Sequence, residues 1–219
     1  MASLEEVQVA IGKLSSDELA QIKEAIFEAE KKTTGEIVPV IVKQSDFYPA
    51  AHFRLSLLGA FVAIFSYYQL SFEGESVYFL YLFILGALIG FFLGYIAPLK
   101  MLFTTREEIE EETRQRAMES FLTNGVVETK DRNGVQLFIS VLEHKVMINV
   151  DNGLHQKLGP HANDKWQHIL KDLLEHLKRG QASQGICSAI KEMGAVLNEH
   201  YPADRSTLNE LPNKLVIED

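Results

Sequence analysis

The sequence predicts a mixed α/β domain with a helical membrane hairpin inserted into it. Three observations carry this reading. Two long runs without a charge lie close together at residues 55–72 and 76–99. A β-branched segment precedes them and two apolar strand-like segments follow. Stretches with apolar residues at helical spacing flank those segments on both sides. A composition of 47% hydrophobic and 23% charged residues over 219 positions excludes a mostly disordered chain. The 30 acidic against 21 basic residues give a net charge of −9, which argues against a general nucleic-acid binder. A single cysteine, Cys187, excludes an internal disulfide framework and a Cys-rich zinc site.

The elements follow in chain order. Ser15-Ser16-Asp17-Glu18 has the form of a capping box, with Ser15 as cap and Glu18 reaching back. Leu19, Ile22, Ile26 and Ala29 then recur at helical spacing as far as Lys32, and Thr33-Thr34-Gly35 breaks the helix. Glu36 to Val42 is β-branched and predicts a strand, in which Pro39 argues for an edge or bulged position.

The first uncharged run, Leu55 to Phe72, has 18 residues; the second, Ser76 to Leu99, has 24. A spanning helix needs about 20, because the hydrocarbon layer is about 30 Å thick. Helices buried in a soluble core normally carry a polar stripe, which these runs lack. Tyr67, Tyr68, Tyr78, Tyr81 and Tyr95 fall near the expected ends, where amphipathic rings favour the headgroup region. Gly86, Gly90 and Gly94 form a small-residue face for close helix packing, either with the first helix or with another copy in a homo-oligomer. The linker from Gln69 to Ser76 holds Glu73 and Glu75 but no Lys or Arg. Lys43, Arg54, Lys100, Arg106, Arg114 and Arg116 lie beyond the opposite ends. The positive-inside rule then predicts an integral membrane protein with two spans and both termini cytoplasmic. Met1 to Lys13 is polar and lacks a signal-peptide core, so the hairpin itself is expected to target the chain.

Thr104-Thr105 is a cap signal, with Glu107 and Glu108 near the positive end of the next helix. Ile109, Thr113, Ala117 and Phe121 share one side of it, and Asn124-Gly125 ends it. Asp131-Arg132-Asn133-Gly134 predicts a turn, Val135 to Leu142 a strand, Glu143-His144 a tight turn, and Lys145 to Val150 the second arm of a β-hairpin. Asp151-Asn152-Gly153 ends that arm. Two amphipathic helices follow, about Asn163 to Lys178 (Trp166, Ile169, Leu170, Leu173, Leu174, Leu177) and about Ser183 to Glu199 (Ile186, Ile190, Met193, Leu197). The tail after Tyr201-Pro202 is polar. Strand, helix, strand suggests a right-handed parallel unit with the hairpin inside its crossover. Ser45, Asp46, Glu143 and His144 are then expected at the carboxyl edge of the sheet, facing the bilayer, and Asp131, Asn133 and Asp151 at the far edge. The chain divides accordingly into residues 1–50, a hairpin at 51–100, and the remainder of the domain with its tail at 101–219.

Several local patterns coincide with a known family. They are Glu28-Ala29-Glu30 with Thr34-Gly35-Glu36-Ile37, Arg116-Ala117 and Phe121, and Asn133-Gly134-Val135. Glu143-His144, Asp151-Asn152-Gly153-Leu154, Gln184-Gly185-Ile186 and Asn209-Glu210-Leu211-Pro212 continue the series. In this order and spacing the chain resembles the TPM domain family of thylakoid-lumen, photosystem and receptor-modulator proteins. It is most similar to a bacterial membrane subgroup whose domain is interrupted by a hydrophobic hairpin. The resemblance implies a small α/β/α sandwich, a bacterial inner-membrane location and, in some members, calcium binding or acid phosphatase activity. Other members resemble non-catalytic modulators of membrane complexes. The chain departs from the calcium- and phosphatase-linked members before its first helix, where Ile11-Gly12-Lys13-Leu14 replaces a paired-aspartate segment. It also lacks the soluble αβ segment between the first strand and the helix of Arg116, which the hairpin replaces.

Chemistry is sparsely marked. Asp131-Arg132-Asn133-Gly134 begins like a calcium loop, but Val135 and Leu142 occupy places that need oxygen ligands, so an EF-hand is excluded. Asp131, Asn133 and Asp151 together could still hold a divalent cation such as calcium, or serve as solvated turn residues. His155, His161, Asp151 and Asp164 fall close in sequence without the spacing of zinc motifs; His168 and His176 lie eight apart on poorly aligned faces. Glu143-His144 could act as an acid/base pair or point to solvent. Cys187 lies beside an apolar stripe as a packing residue. Glu107, Glu108 and Glu110 to Glu112 form a solvated acidic face or a dock for a basic partner. Phosphate-cradling glycine loops and nucleophile elbows are lacking. The expected function is a non-catalytic interaction or assembly module, with the lipid bilayer and other membrane proteins as partners. The alternative is a membrane-bound acid phosphatase or cation-dependent hydrolase, with Asp131, Asp151 and Glu143 as its carboxylates.

Overall fold

The computed structural model describes residues 14–69, 76–158, 162–203 and 210–218. Expectations about Met1 to Lys13, about Glu73 and Glu75, and about His161 lie outside the described residues. The chain divides into two units, residues 1–45 with 113–219, and residues 46–112.

The first unit is built on a four-stranded sheet. Its strands are β1 (Ile37–Val42), β2 (Val135–Ser140), β3 (Lys145–Val150) and β4 (Val216–Glu218), in the order β3-β2-β1-β4. β1 and β2 are parallel and pair residue for residue, from Ile37 with Val135 to Val42 with Ser140. β3 runs antiparallel to β2, and β4 parallel to β1. Every residue of β1 and β2 is buried. This explains why both read as nearly continuous apolar runs rather than alternating ones.

Side chains on the two faces go to different partners. Ile37, Ile41, Leu137 and Ile139 join a core with α1 (Ser16–Glu30), α7 (Ala162–Lys178) and α8 (Ala182–His200). Val38, Val40, Val42 and Phe138 pack on Ala117 and Phe121 of α5 (Arg106–Thr123). Helices on both faces make this an α/β/α layering. The α1 capping box forms as expected: Glu18 N donates to Ser15 Oγ at 3.2 Å and Ser15 N to Glu18 Oε2 at 2.8 Å. At the other end of α5, Gly125 takes φ +72°, a backbone conformation that favours glycine.

Several expectations need correction. Pro39 sits in an interior strand, not at an edge. β4 pairs only with Val40 to Val42, so the ladder on that side begins just past Pro39 and asks nothing of its missing N–H. The second strand ends at Ser140, and a four-residue turn, Val141 to His144, replaces the two-residue turn. Asp151-Asn152-Gly153 does not merely end a strand. It opens a short helix, α6 (Asn152–Leu158), too brief for its periodicity to register in the sequence. The tail is not wholly irregular either. β4 is fixed by Glu218, which accepts from Ser120 Oγ (3.0 Å) and Asn124 Nδ2 (2.9 Å) and pairs with Arg116 (3.1 Å). These are long-range contacts that no local pattern announces.

The second unit contains α2 (Pro49–Gln69), α3 (Ser76–Leu93), the short α4 (Ala97–Leu102) and the first turns of α5. α2 is long and apolar enough to cross a membrane; α3 is a shorter apolar helix. The expectation of one second span running to Leu99 is therefore corrected. The helix ends at Leu93, the chain turns at Gly94 to Ile96, and α4 restarts with Pro98 in its first turn, where a missing N–H costs nothing.

α2 and α3 pack backbone against backbone. A Cβ at Gly59 would meet Gly86 O at 2.2 Å, one at Gly86 would meet Gly59 O at 2.5 Å, and one at Gly90 would meet Leu55 O at 2.1 Å. A Cβ at Gly94 would lie 2.4 Å from His52 Nδ1. The glycine face thus pairs with α2 of the same chain. Phe61, Phe65, Leu85, Leu88, Ile89 and Phe92 lie exposed on the outside of the pair.

Arg54 closes the base of this unit. Its guanidinium donates in a fork to Glu108 (2.8 and 2.7 Å) and to Phe103 O (2.7 Å). Glu108 also completes a capping box with Thr105, which fixes the start of α5. These bonds, Arg54 foremost, hold the Glu108 carboxyl down at about 2.

Gly90→Leu is expected to force α2 and α3 apart, because the atoms it meets are backbone and cannot rotate away. The cost is at least the roughly 1–3 kcal/mol of overpacking. Circular-dichroism melting in detergent should show earlier loss of helix, whereas Leu88→Ala on the exposed side should melt like the parent chain. Equal melting of Gly90→Leu would contradict this packing.

Candidate functional site

Polar groups of the first unit gather at the two ends of the β1–β2 pair. Beyond the carboxyl ends, Ser45 N donates to Glu143 Oε1 at 2.9 Å, and Ser140 Oγ donates to Glu143 Oε2. The hydroxyls of Ser45 and Ser140 lie 2.8 Å apart. Glu143 is buried and turned inward by these serines, so it does not point to solvent. The four-residue turn makes this possible, with His144 in the left-handed region at φ +54°. His144 Nε2 is buried without a hydrogen-bond partner among the described residues. A carboxylate linked through one serine to a second is a proton relay in form.

At the opposite end, Asp151 is 3% exposed. Its Oδ1 accepts from Asn152 N at 2.6 Å and lies 3.8 Å from Arg132 Nη1. Its Oδ2 is buried without a partner among the described residues. Asn133 is buried too, but its amide donates to Thr34 O and Thr34 Oγ1, tying the turn to the start of β1. Asp131 is exposed. Burial, then the charges of Asp131 and Asp151, raise the Tyr201 phenol, which places all three in one neighbourhood. Among the described residues, no group of three or more His, Cys, Asp and Glu is placed to hold a metal ion.

Two carboxylates at the same end, half-buried Glu30 and buried Glu36, carry no mark in the sequence reading of the chemistry. Glu30 Oε1 accepts from Ile37 N at 2.9 Å, while Oε2 is buried without a partner among the described residues. Burial, with a smaller contribution from Glu36, pushes the Glu30 carboxyl up to about 8. Glu36 accepts from Glu210 N (2.8 Å) and Leu211 N (3.3 Å), and burial raises it as well. The available signal was an acidic residue on either side of the Thr33-Thr34-Gly35 break, at the entry to a fully apolar strand. A site there meets the sheet, not solvent.

With this geometry in view, the comparisons fall into place. Residues 99–196 match the TPM domain model. Over these residues the chain is similar to the TPM domain family. The NMR structure of BA42 protein from the psychrophilic bacterium Bizionia argentinensis is similar in fold, with a TM-score of 0.58 at 20% identity. That match covers 94% of this chain and 95% of BA42. No curated protein matches the sequence. The TPM match spans α5, β2, β3 and most of α8, and so includes Asp131, Asn133, Glu143 and Asp151 but not Glu30 or Glu36.

Glu30 gives a pH dependence with a definite sign. The unfolded chain ionises this group above about 4.5, whereas the folded domain keeps it neutral up to about 8. Stability should therefore fall as pH rises between those values, with the full penalty present above 8. Glu30→Gln should flatten that fall. Urea unfolding of the detergent-solubilised chain, followed by the single buried tryptophan, Trp166, would show it; parallel pH profiles for both chains would contradict it.

Proposed function

We propose that this TPM domain protein is an integral membrane protein of two spans, both termini cytoplasmic, in a bacterial inner membrane. We propose further that its α/β domain is a non-catalytic interaction or assembly module for other membrane proteins. One observation carries the membrane reading. The α2–α3 pair uses its glycines and small residues inside the hairpin and leaves large apolar side chains outside, where only a nonpolar solvent suits them. Connectivity supports the even number of crossings. β1 precedes the hairpin and β2 follows it, yet they pair along their whole length, so both belong to one compartment. The basic residues flanking the apolar runs favour the cytoplasm. The modular reading is supported by the polar clusters of the domain, whose groups are turned to the sheet and to turns.

Alkaline carbonate extraction of cell membranes tests the location. The chain should stay with the lipid pellet and dissolve only with detergent; release into the carbonate supernatant would remove the reading.

A second reading rests on Asp151, whose buried Oδ2 has no partner among the described residues. A phosphomonoester hydrolase using Asp151 with Asp131, aided by a divalent cation such as calcium, would need such an oxygen. Phosphatase assays of purified protein with added calcium or magnesium separate the two. The interaction module predicts turnover no different from an Asp151→Asn variant. Cation-dependent turnover lost in that variant establishes the hydrolase.

A further inference from the structure

The short helix after α3 has the polarity of a surface helix turned inside out. Within α4 (Ala97–Leu102), Lys100 is both the charged residue and the buried one, at 8% exposure. Its ammonium lies 6.0 Å from the centre of the Tyr48 ring, which is itself buried. Leu102, at the end of the same helix, is 74% exposed, and Tyr95 and Ile96 are exposed in the turn before it. Lysine is almost never buried and leucine commonly is, so water would favour the reverse arrangement. Lipid favours the arrangement seen, with apolar side chains outward and the charge turned toward protein.

The path of the chain sets α4 across the base of the hairpin and not beyond it. α3 runs back along α2, with Gly90 against Leu55 and Gly94 against His52. A straight helix from Gly94 to Phe103 would carry the chain about 14 Å further along the axis, farther than one side chain spans. Instead, Phe103 O accepts from Arg54 Nη1 at 2.7 Å, close to the level of His52. The direction changes at Ile96, whose backbone is extended (φ −80°, ψ 111°), and Pro98 then opens α4. Lys100 is thereby brought beside Tyr48, at the start of α2. The apolar surface is also continuous with the outside of the helix pair. The Tyr95 ring stacks on that of Phe92, an outward residue of α3, with centroids 6.3 Å apart. Tyrosine suits the headgroup level, where one end of the ring is apolar and the other wet.

We infer that α4, with Tyr95, Ile96 and Leu102, is an interfacial foot whose partner is the lipid surface. It lies in the boundary between headgroups and acyl chains, in the leaflet at the base of the hairpin. The inference rests on the membrane reading above and adds a second lipid contact, along the membrane plane instead of across it. The bond from Arg54 to Phe103 O ties the far end of the foot to α2.

The test uses the purified full chain carrying Cys187→Ser, reconstituted without other proteins into vesicles of phosphatidylcholine and phosphatidylglycerol. A nitroxide is attached at Leu102→Cys and, for comparison, at Leu88→Cys on the outside of α3 and at Lys171→Cys on the α/β domain. Power saturation in electron paramagnetic resonance compares collision with oxygen, which concentrates in lipid, and with a water-soluble nickel chelate present on both sides. The oxygen-to-nickel ratio at 102 should exceed that at 171 severalfold and fall below that at 88, the order of a shallow lipid site. Nickel access at 102 equal to that at 171, with 88 in lipid, overturns the foot and leaves the membrane reading standing. A label at 102 screened from both reagents also overturns it, because protein then covers the residue, as does a ratio no lower than that at 88, which puts α4 in the acyl core. Nickel access at 88 equal to that at 171 overturns both readings.

Discussion

The parallel pairing of Ile37–Val42 with Val135–Ser140 is the constraint on which the rest depends. Neither half of the domain can bury its apolar strand alone. The first half offers one helix and one strand, and the second offers helices whose stripes need a sheet to cover. Joining them closes a fully buried strand pair with cores on both faces. The 67-residue unit between them, Asp46–Glu112, therefore cannot be an extension of either end. It is an insertion in a crossover, and its two ends must return to the same sheet. Closing so long a loop carries only a modest extra entropic cost over a shorter one. A long insertion is thus compatible with a stable domain.

The insertion follows a different physical rule. In the domain, apolar side chains point inward. In the hairpin, glycines occupy the inside, the backbones touch, and phenylalanine and leucine side chains face out. Association of this kind draws on close van der Waals contact, as expected where the surroundings are already apolar. The charge pair of Arg54 with Glu108 sits where the hairpin meets the start of α5. There it completes a fork and a helix cap at once, which makes it a geometric stop rather than a surface decoration.

Much of this was legible in the sequence, for identifiable reasons. The Ser15 capping box, the cap at Thr104-Thr105, the Gly125 helix end and the strands at β1, β2 and β3 are local signals, and each forms close to where it was expected. The uncharged runs were legible because 18 and 24 successive residues carry no charge. Other features depend on distant partners. β4 has three residues and gains its place from Glu218 meeting Arg116, Ser120 and Asn124. Glu143 reads as a turn residue until Ser45, nearly a hundred positions away, draws it inward. Glu30 and Glu36 read as ordinary helix and loop acids, and only the assembled sheet shows Glu36 buried and Glu30 half-buried. The break of α3 at Gly94 was hidden because the apolar run continues through it, with Pro98 opening the next helix just beyond.

The central claim is that one domain is assembled from both flanks of a hairpin embedded in a membrane. Single cysteines placed at exposed Lys23 and Lys171, in a chain carrying Cys187→Ser, test it most directly with a membrane-impermeant thiol reagent applied to sealed membrane vesicles. Both positions should be labelled from the same side, and shielded from the other, in right-side-out and inverted vesicles alike. Labelling of the two positions from opposite sides would contradict the account.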